Sequence, residues 1–242
     1  MVVVTRADAA PLYAQIREAL RADIREKALV PGQRIPSEEE LAARFGVTRM
    51  TVRNGIADLV DEGLLYRRQG VGTFVAQPVM ERDHSRLTSF AETARAQGID
   101  IRVRVLIADI LPAKLHVAKA LGLQEGELVG HVKTLRLANG TPVTVHDAHI
   151  PYRLFPLILQ EDLEARHLWD VFEAHGYPVK RATQRVEARA AGEEMASVLG
   201  IEAGAPILYK ERTVYADDGT PVEFAYCYNR GDRYALTVTL YR

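Results

Sequence analysis

An internal repeat in the second half of the chain is the feature that most constrains its fold. Residues 118–145 (AKALGLQEGELVGHVKTLRLANGTPVTV) align with residues 196–224 (ASVLGIEAGAPILYKERTVYADDGTPVEF) if one residue is inserted at a turn. Each copy reads as the end of a helix followed by two strands around an Asn-Gly or Asp-Gly turn, and these residue pairs tolerate positive φ. The repeat predicts a pseudo-twofold α+β domain with a mainly antiparallel sheet. The cleft between its halves is the expected ligand site.

Ahead of the repeat, the chain reads as three helices followed by a hairpin. Apolar residues recur every four positions between residues 11 and 27, and the stretch SEEELAARFG begins with a capping box of Ser37 and Glu40. A third helix is predicted from Thr48 to about Gly63, and two β-prone runs then flank a Gly-x-Gly turn. The polar segment that follows predicts a boundary. We therefore expect domains at 9–76 and 88–242, with a linker at 77–87.

Bulk properties narrow the class of protein. A chain of 242 residues suits two domains, and a net charge of −1 requires any nucleic-acid surface to be local. The single Cys227 excludes an intramolecular disulfide framework and a multi-cysteine zinc site. The sequence contains neither a signal-peptide core nor an apolar run of membrane-spanning length. We expect a cytoplasmic protein with no membrane partner and no cofactor.

The start of the third helix carries an unusual set of polar residues. In a helix-turn-helix, the N-terminal residues of the second helix contact base edges in the major groove. Arg49 and Arg53 offer planar forks of donors that suit guanine or phosphate, and Thr51 suits phosphate or a thymine methyl group. A Gly-x-Gly hairpin tip is narrow enough for a minor groove. Each motif alone is also explained by a solvated helix end or a plain turn, but their order favours DNA binding.

These motifs support a resemblance to a known family. The stretches PLYAQI, PGQRIPSEEELAARFGVTRMTVR and EGLLYRRQGVGTFVA resemble the winged helix-turn-helix domain of the GntR family of bacterial transcription regulators, over roughly residues 11–76. Lys27 and Gly55 depart from that pattern, where glycine and alanine are usual. A mid-helix glycine costs about 1 kcal/mol relative to alanine, which points to close packing at Gly55. The resemblance and the motifs give as DNA-binding residues Ser37, Thr48, Arg49, Thr51, Arg53, Arg68, Gln69, Gly70, Gly72 and Thr73.

The remainder of the chain, from about Leu87 to Tyr241, resembles the UTRA domain of the HutC subfamily, whose fold is similar to chorismate lyase. The stretches TSFAETARAQG, LGLQEGE, LRLANGTPV and PVEFAYCYNRGDRY carry this resemblance. It implies a small anionic effector, such as a sugar phosphate, phosphonate or carboxylate. Two departures stand out. Sugar-phosphate-binding members have arginine at the position of Thr134 and glutamate at the position of His146. The implied effector-binding residues are Ser89, Phe90, Thr134, Arg136, His146, Glu223 and Tyr228.

Together, these features predict a homodimeric repressor that binds double-stranded operator DNA with an affinity controlled by its effector. Two alternatives remain open, a chorismate-lyase-like enzyme and a ligand-independent DNA-binding dimer. No catalytic residues are predicted, because the chain has no nucleophile elbow and no motif of paired carboxylates. No metal ligands are predicted either. His146 and His149 of the HDAH motif lie three apart, and on a strand such residues point to opposite faces.

Overall fold

The computed structural model describes residues 10–26, 28–76, 79–83, 85 and 87–240, without the side chain of residue 82. The chain divides into two compact units, and the division falls between residues 78 and 79. The domain bounds and the linker at 77–87 stay predictions. Four positions of that linker, together with Lys27, lie outside the described residues. Among the helices that the structure does describe, none has the length and apolar character needed to cross a membrane.

The first unit has the three helices and the hairpin that the sequence predicts. Ser37 accepts from the Glu40 backbone N–H while the Glu40 side chain accepts from that of Ser37, so the predicted capping box is confirmed. Gly46 ends the second helix with φ 64°, a left-handed conformation that favours glycine and permits the tight turn into the third helix. The elements are α1 (Leu12–Arg25), α2 (Glu38–Phe45), α3 (Arg49–Asp61), β1 (Leu65–Arg68) and β2 (Gly72–Val75), the two strands being antiparallel.

Helix α1 packs very closely against α3. A Cβ atom at Gly55 would stand 2.8 Å from the backbone carbonyl oxygen of Tyr13, so α1 leaves no room for a side chain there. This contact explains why glycine is present in mid-helix despite its low helix propensity. The apolar stripe of α3 completes the core of this unit with residues from α1, α2 and both strands. Its fully buried members include Ile16, Leu20, Leu41, Val52, Ile56, Leu59, Leu65 and Val75.

The second unit is built on a six-stranded sheet in which all neighbouring strands are antiparallel, in the order β4-β5-β6-β9-β8-β7. Strands β3 and β10 form a separate parallel pair, and β3 falls within the predicted linker. The elements are β3 (Met80–Asp83), α4 (Phe90–Ala96), β4 (Ile101–Pro112), α5 (Leu115–Leu121), β5 (Leu128–Ala138), β6 (Thr141–Pro151), a 3-10 turn (Ile158–Gln160), α6 (Leu168–Ala174), β7 (Val179–Ala190), α7 (Glu193–Leu199), β8 (Pro206–Ala216), β9 (Pro221–Arg230) and β10 (Tyr234–Thr237).

This sheet confirms the predicted pseudo-twofold architecture and extends it. The order of elements α4-β4-α5-β5-β6 recurs as α6-β7-α7-β8-β9, and the two halves meet where β6 pairs with β9. The equivalent helices α5 and α7 both end at a left-handed glycine, Gly122 and Gly200. The first hairpin turns through Asn139 and Gly140, both at positive φ. The second turn has one more residue and only Gly219 at positive φ, as expected for a longer hairpin loop.

A one-residue bulge sets which side chains meet across β5 and β6. Near the turn, Ala138 pairs with Thr141, but beyond the bulge at Arg136 and Leu137 the pairing shifts by one residue. Thr134 then lies opposite His146. Because side chains alternate along a strand, both point to one face of the sheet, here called the cavity face. The opposite face is covered in part by α5 and α7.

Candidate functional site

The exposed face of α3 lies opposite its buried stripe. Arg49 and Arg53 are one helical turn apart and exposed, and Met50 and Asn54 lie beside them, with Met50 62% exposed. Thr48 caps the helix by accepting from the Thr51 backbone N–H, and their hydroxyl oxygens lie 2.9 Å apart. Arg49, Met50, Arg53 and Asn54 therefore form a continuous exposed stripe, polar apart from Met50, that begins at the positive end of the helix dipole.

The hairpin after α3 presents a narrow tip. Gln69 and Gly70 are exposed, and Gly70 and Gly72 adopt φ 72° and 144°, values that favour glycine. The Arg68 guanidinium lies 5.9 Å from the centre of the Phe74 ring. Thr73 is partly buried, and its carbonyl accepts from the Ile35 backbone N–H, so a third segment supports the hairpin. The tip thus carries little side-chain bulk on a braced base.

The second unit contains a cavity of about 380 Å³ on the cavity face of the sheet. Both halves contribute to it, one through α4, β4, β5 and β6 and the other through the segment that leads into α6. Its base is formed by the buried side chains of Thr134, Arg136 and His146. The Arg136 guanidinium lies 5.0 Å from the centre of the Phe90 ring, so α4 covers this arginine from above. The rim is exposed and carries Arg95, Asp100, Glu164, Arg166 and Asp170.

A charged cluster lies beside the base of the cavity, on the same face of the sheet. His146 Nε2 is 2.8 Å from Glu223 Oε1, but the orientation of the two groups does not meet the angular requirement of a hydrogen bond. Trp169 Nε1–H donates to Glu223 Oε2 at 3.2 Å, and the Arg212 guanidinium lies 5.4 Å from the centre of the Trp169 ring. Glu223 is therefore enclosed by polar and cationic groups, which a buried carboxylate requires.

Burial sets the protonation states in this cluster. It lowers the pKa of His146 to about 4, and the charge of Arg136 acts in the same direction. Burial alone would raise the pKa of Glu223, but His146 and Arg212 hold it well below its usual range. Since His146 carries its charge only below about pH 4, Arg212 is the counter-charge that remains at neutral pH. Near pH 7, Glu223 is thus ionised and His146 is neutral.

The structure brings together only part of the predicted effector set. Phe90, Thr134, Arg136 and His146 line the cavity, whereas Glu223 is outside its lining and contacts His146 from the side. Tyr228 is not brought to it, because it is five residues from Glu223 on the same strand and so points to the opposite face of the sheet.

Ser89 lies beside the cavity, in a neighbouring hollow of about 320 Å³. Its hydroxyl accepts from the Glu92 backbone N–H, and the Glu92 carboxylate accepts from that of Ser89. The helix start is thus already satisfied by an acidic side chain, which does not favour an anion there.

Three residues of this region were missed from the sequence. His167 lines the cavity at the cap of α6, while Trp169 and Arg212 surround Glu223. For His167, extending the repeat backwards would have supplied the signal, since His167 caps α6 as Ser89 caps the equivalent helix α4.

Both units of the chain match models of known protein families. The sequence model described as "Bacterial regulatory proteins, gntR family" matches residues 12–75, and that described as "UTRA domain" matches residues 96–235. The chain belongs to the GntR family, in its HutC branch. Both parts of the predicted resemblance are therefore confirmed.

Full-length relatives support the same assignment. The HTH-type transcriptional repressor NagR of Bacillus subtilis (strain 168) is 37% identical over 226 residues, which cover 93% of each chain. The histidine utilization repressor of Pseudomonas putida is 31% identical over 227 residues, covering 94% of this chain and 91% of that repressor. The crystal structure of PhnF from Mycobacterium smegmatis matches with a TM-score of 0.78 at 25% identity, over 93% of this chain and 99% of PhnF.

This GntR-family chain is thus a DNA-binding transcription repressor of the HutC type with a C-terminal effector-binding domain. Because the relatives are regulators that share both domains, the alternative of a chorismate-lyase-like enzyme is excluded.

Proposed function

We propose that the cavity of the second unit binds a small anionic metabolite and that this ligand lowers the affinity of the repressor for its operator. The burial of Arg136 carries the proposal. Among the described lining residues, Arg136 is the one buried side chain with a formal charge at neutral pH, since His146 is neutral there. Its planar guanidinium suits bidentate contact with a carboxylate or a phosphoryl group. A volume of about 380 Å³ suits a small metabolite.

The rim charges have less influence on ligand class than the base. Glu164 accepts from the Val105 backbone N–H at 2.9 Å, and Arg166 pairs with Glu161 at 2.7 Å, so both are engaged in holding the rim segment. These groups are exposed and screened by solvent, while a charge at the base acts in a drier environment. The anion of the ligand is therefore expected at Arg136, with Thr134 available as a hydroxyl partner.

A thermal-shift screen of phosphorylated, phosphonate and carboxylate metabolites tests the ligand class. A true ligand raises the midpoint of thermal unfolding as its concentration increases, because it binds the folded state alone. Arg136→Gln should abolish the shift, and Arg136→Lys should weaken it, since lysine retains the charge but loses the fork of donors. Stabilisation by neutral or cationic compounds, with anions inactive, would contradict the proposal.

The DNA-binding surface is proposed to combine the exposed stripe of α3 with the hairpin tip. In a homodimer, two such helices would read the halves of a pseudo-palindrome in the major groove while each glycine tip enters a minor groove. Arg49 and Arg53 are expected to carry the base and phosphate contacts. Sedimentation analysis should accordingly find a dimer.

Fluorescence anisotropy on DNA from upstream of the repressor's own gene tests this surface. The double variant Arg49→Ala/Arg53→Ala should lose specific affinity for the operator. The slope of log K against log salt concentration should become shallower by about 2, one for each lost phosphate contact. Unchanged binding in that variant would refute the assignment.

A matched control removes an arginine at the other end of the same unit. The pairs Arg17–Asp58, at 3.3 Å, and Arg21–Glu62 show that α1 and α3 lie side by side and run in the same direction. Arg25 is exposed near the end of α1, away from the start of α3. Arg25→Ala should therefore bind DNA as the unaltered protein does.

A further inference from the structure

The sheet carries a second cluster of polar side chains on the face opposite the cavity. His131 and His149 lie directly opposite each other on β5 and β6, with ring centres 5.0 Å apart. Asp147 precedes His149 by two residues and so points to the same face. The bulge between Arg136 and Leu137 creates this arrangement, because without its one-residue shift His131 would lie opposite Ala148. The cluster is thus a product of strand register.

The three side chains offer a compact set of donor atoms. One ligand atom from each of His131, Asp147 and His149 can be chosen so that all lie within 4.8 Å of one another. His131 Nε2 and Asp147 Oδ1 are 2.8 Å apart. Donors at about 2.0–2.1 Å from a tetrahedral zinc ion stand roughly 3.3 Å from each other. Small side-chain movements would therefore convert this set into a coordination shell.

Neighbouring charges hold two of these donors in place. His131 Nδ1 is 2.9 Å from Asp109 Oδ1, so a carboxylate contacts the nitrogen that faces away from the cluster. This is the carboxylate–histidine arrangement that commonly orients a metal-binding imidazole. The second oxygen of Asp147, Oδ2, lies 3.8 Å from Lys133 Nζ. His131 Nε2 and Asp147 Oδ1 are thereby held in contact, 2.8 Å apart.

His149 supplies an independent observation. Its Nδ1 atom is shielded from solvent and forms no well-aligned hydrogen bond with the described residues, although the ring lies within reach of the Phe224 backbone. An unsatisfied buried polar group costs about 1–3 kcal/mol, so native proteins rarely retain one without a reason.

We propose that His131, Asp147 and His149 bind one divalent transition-metal ion, with a water molecule or an external anion as the fourth ligand. Two imidazoles and a carboxylate suit Zn²⁺, Ni²⁺ or Co²⁺ and offer little to Mg²⁺ or Ca²⁺. His131 and Asp147 are both partly exposed, with side-chain accessibilities of 13% and 16%, so an ion can enter from solvent. The site is independent of the effector cavity, which lies on the other face of the sheet.

Isothermal titration calorimetry of the untagged, chelator-treated full chain with ZnCl₂ tests this proposal. One ion should bind per chain. His131→Gln and His149→Gln should each weaken binding by at least about 100-fold, and Asp109→Asn by about 10-fold or more through the lost orientation. His175→Gln is the matched control, because His175 is an exposed histidine at the end of α6 and outside the cluster. It should bind zinc unchanged.

A second measurement keeps the test independent of the variants. Bound Co²⁺ in the unaltered protein should give the visible ligand-field bands of a four-coordinate nitrogen and oxygen site, and added ZnCl₂ should remove them by competition. Far-UV circular dichroism identifies any variant that fails to fold. Absence of saturable zinc binding to the unaltered protein, or equal affinity in a folded His149→Gln variant, would overturn the proposal and leave a purely structural hydrogen-bond cluster.

Discussion

Replacing Gly55 with alanine sets two opposing effects against each other in α3. By helix propensity alone, alanine stabilises a mid-helix position by about 0.8–1.0 kcal/mol relative to glycine. The new methyl group, however, would stand 2.8 Å from the Tyr13 carbonyl oxygen, whereas ordinary contact begins at 3.4 Å. Because that oxygen belongs to the backbone of α1, the helix itself has to retreat by roughly half an ångström. Such overpacking costs about 1–3 kcal/mol, so we expect a net loss of about 1 kcal/mol.

Hydrogen exchange measured by mass spectrometry on the full chain can detect a change of this size. A loss of about 1 kcal/mol corresponds to roughly fivefold faster exchange in peptides from α1 and α3. The single tryptophan of the chain, Trp169, lies in the second unit. Its fluorescence during unfolding should therefore be unchanged, which would confirm that the effect is local.

Asn54→Ala provides the control on the same helix. Asn54 is exposed, so alanine there gains helix propensity without meeting another helix. Exchange in α3 should slow slightly in this variant. If Gly55→Ala also slowed exchange, the close approach of α1 would be refuted as the reason for the glycine.

Two further predictions concern the charged cluster beside the cavity. Lowering the pH from about 7 to 5 should lower the thermal midpoint, because burial brings the pKa of His146 to about 4 and that of His167 to about 3. The unfolded chain then binds more protons than the folded one below an ordinary pKa of 6.5, so stability is lost as the pH falls. A thermal midpoint that does not change over this pH range would contradict the conclusion that both histidines are neutral in the folded protein. Glu223→Gln should destabilise the second unit by about 3–5 kcal/mol in urea unfolding followed by Trp169 fluorescence, since it leaves the buried Arg212 without its anion. Glu187→Gln, on an edge strand, should have little effect, and equal losses in the two variants would refute the argument.

Much of this fold could be predicted from local signals. The capping box at Ser37, the left-handed glycine at Gly46 and the hairpin at Asn139-Gly140 each depend on a few neighbouring residues, and all three are present. The repeat was recognised only from α5 onward. Strands β4 and β7 lie at the edges of the sheet and are largely exposed, so their side chains are weakly constrained and their sequences do not align visibly.

The candidate sites depended on longer-range geometry. The opposite orientation of Glu223 and Tyr228 was predictable, because their spacing of five along one strand decides it. The pairing of His131 with His149 was not, since the Asn-Gly turn alone gives a register that differs by one residue. A bulge is a property of the assembled sheet, and the turn sequence does not reveal it. The spacing of three along one strand correctly placed His146 and His149 on opposite faces. The cross-strand neighbour of His149, which depends on the bulge, was missed.

The central claim is that a ligand at Arg136 and operator DNA at α3 are energetically coupled, and reciprocity tests it most directly. The factor by which saturating ligand weakens operator binding must equal the factor by which saturating operator weakens ligand binding. Anisotropy gives the first factor and calorimetry the second. We predict equal factors of at least about tenfold, which corresponds to about 1.4 kcal/mol of coupling, and their loss in Arg136→Gln. A ligand that binds the cavity but leaves operator affinity unchanged would contradict the claim and favour a repressor that binds DNA independently of ligand.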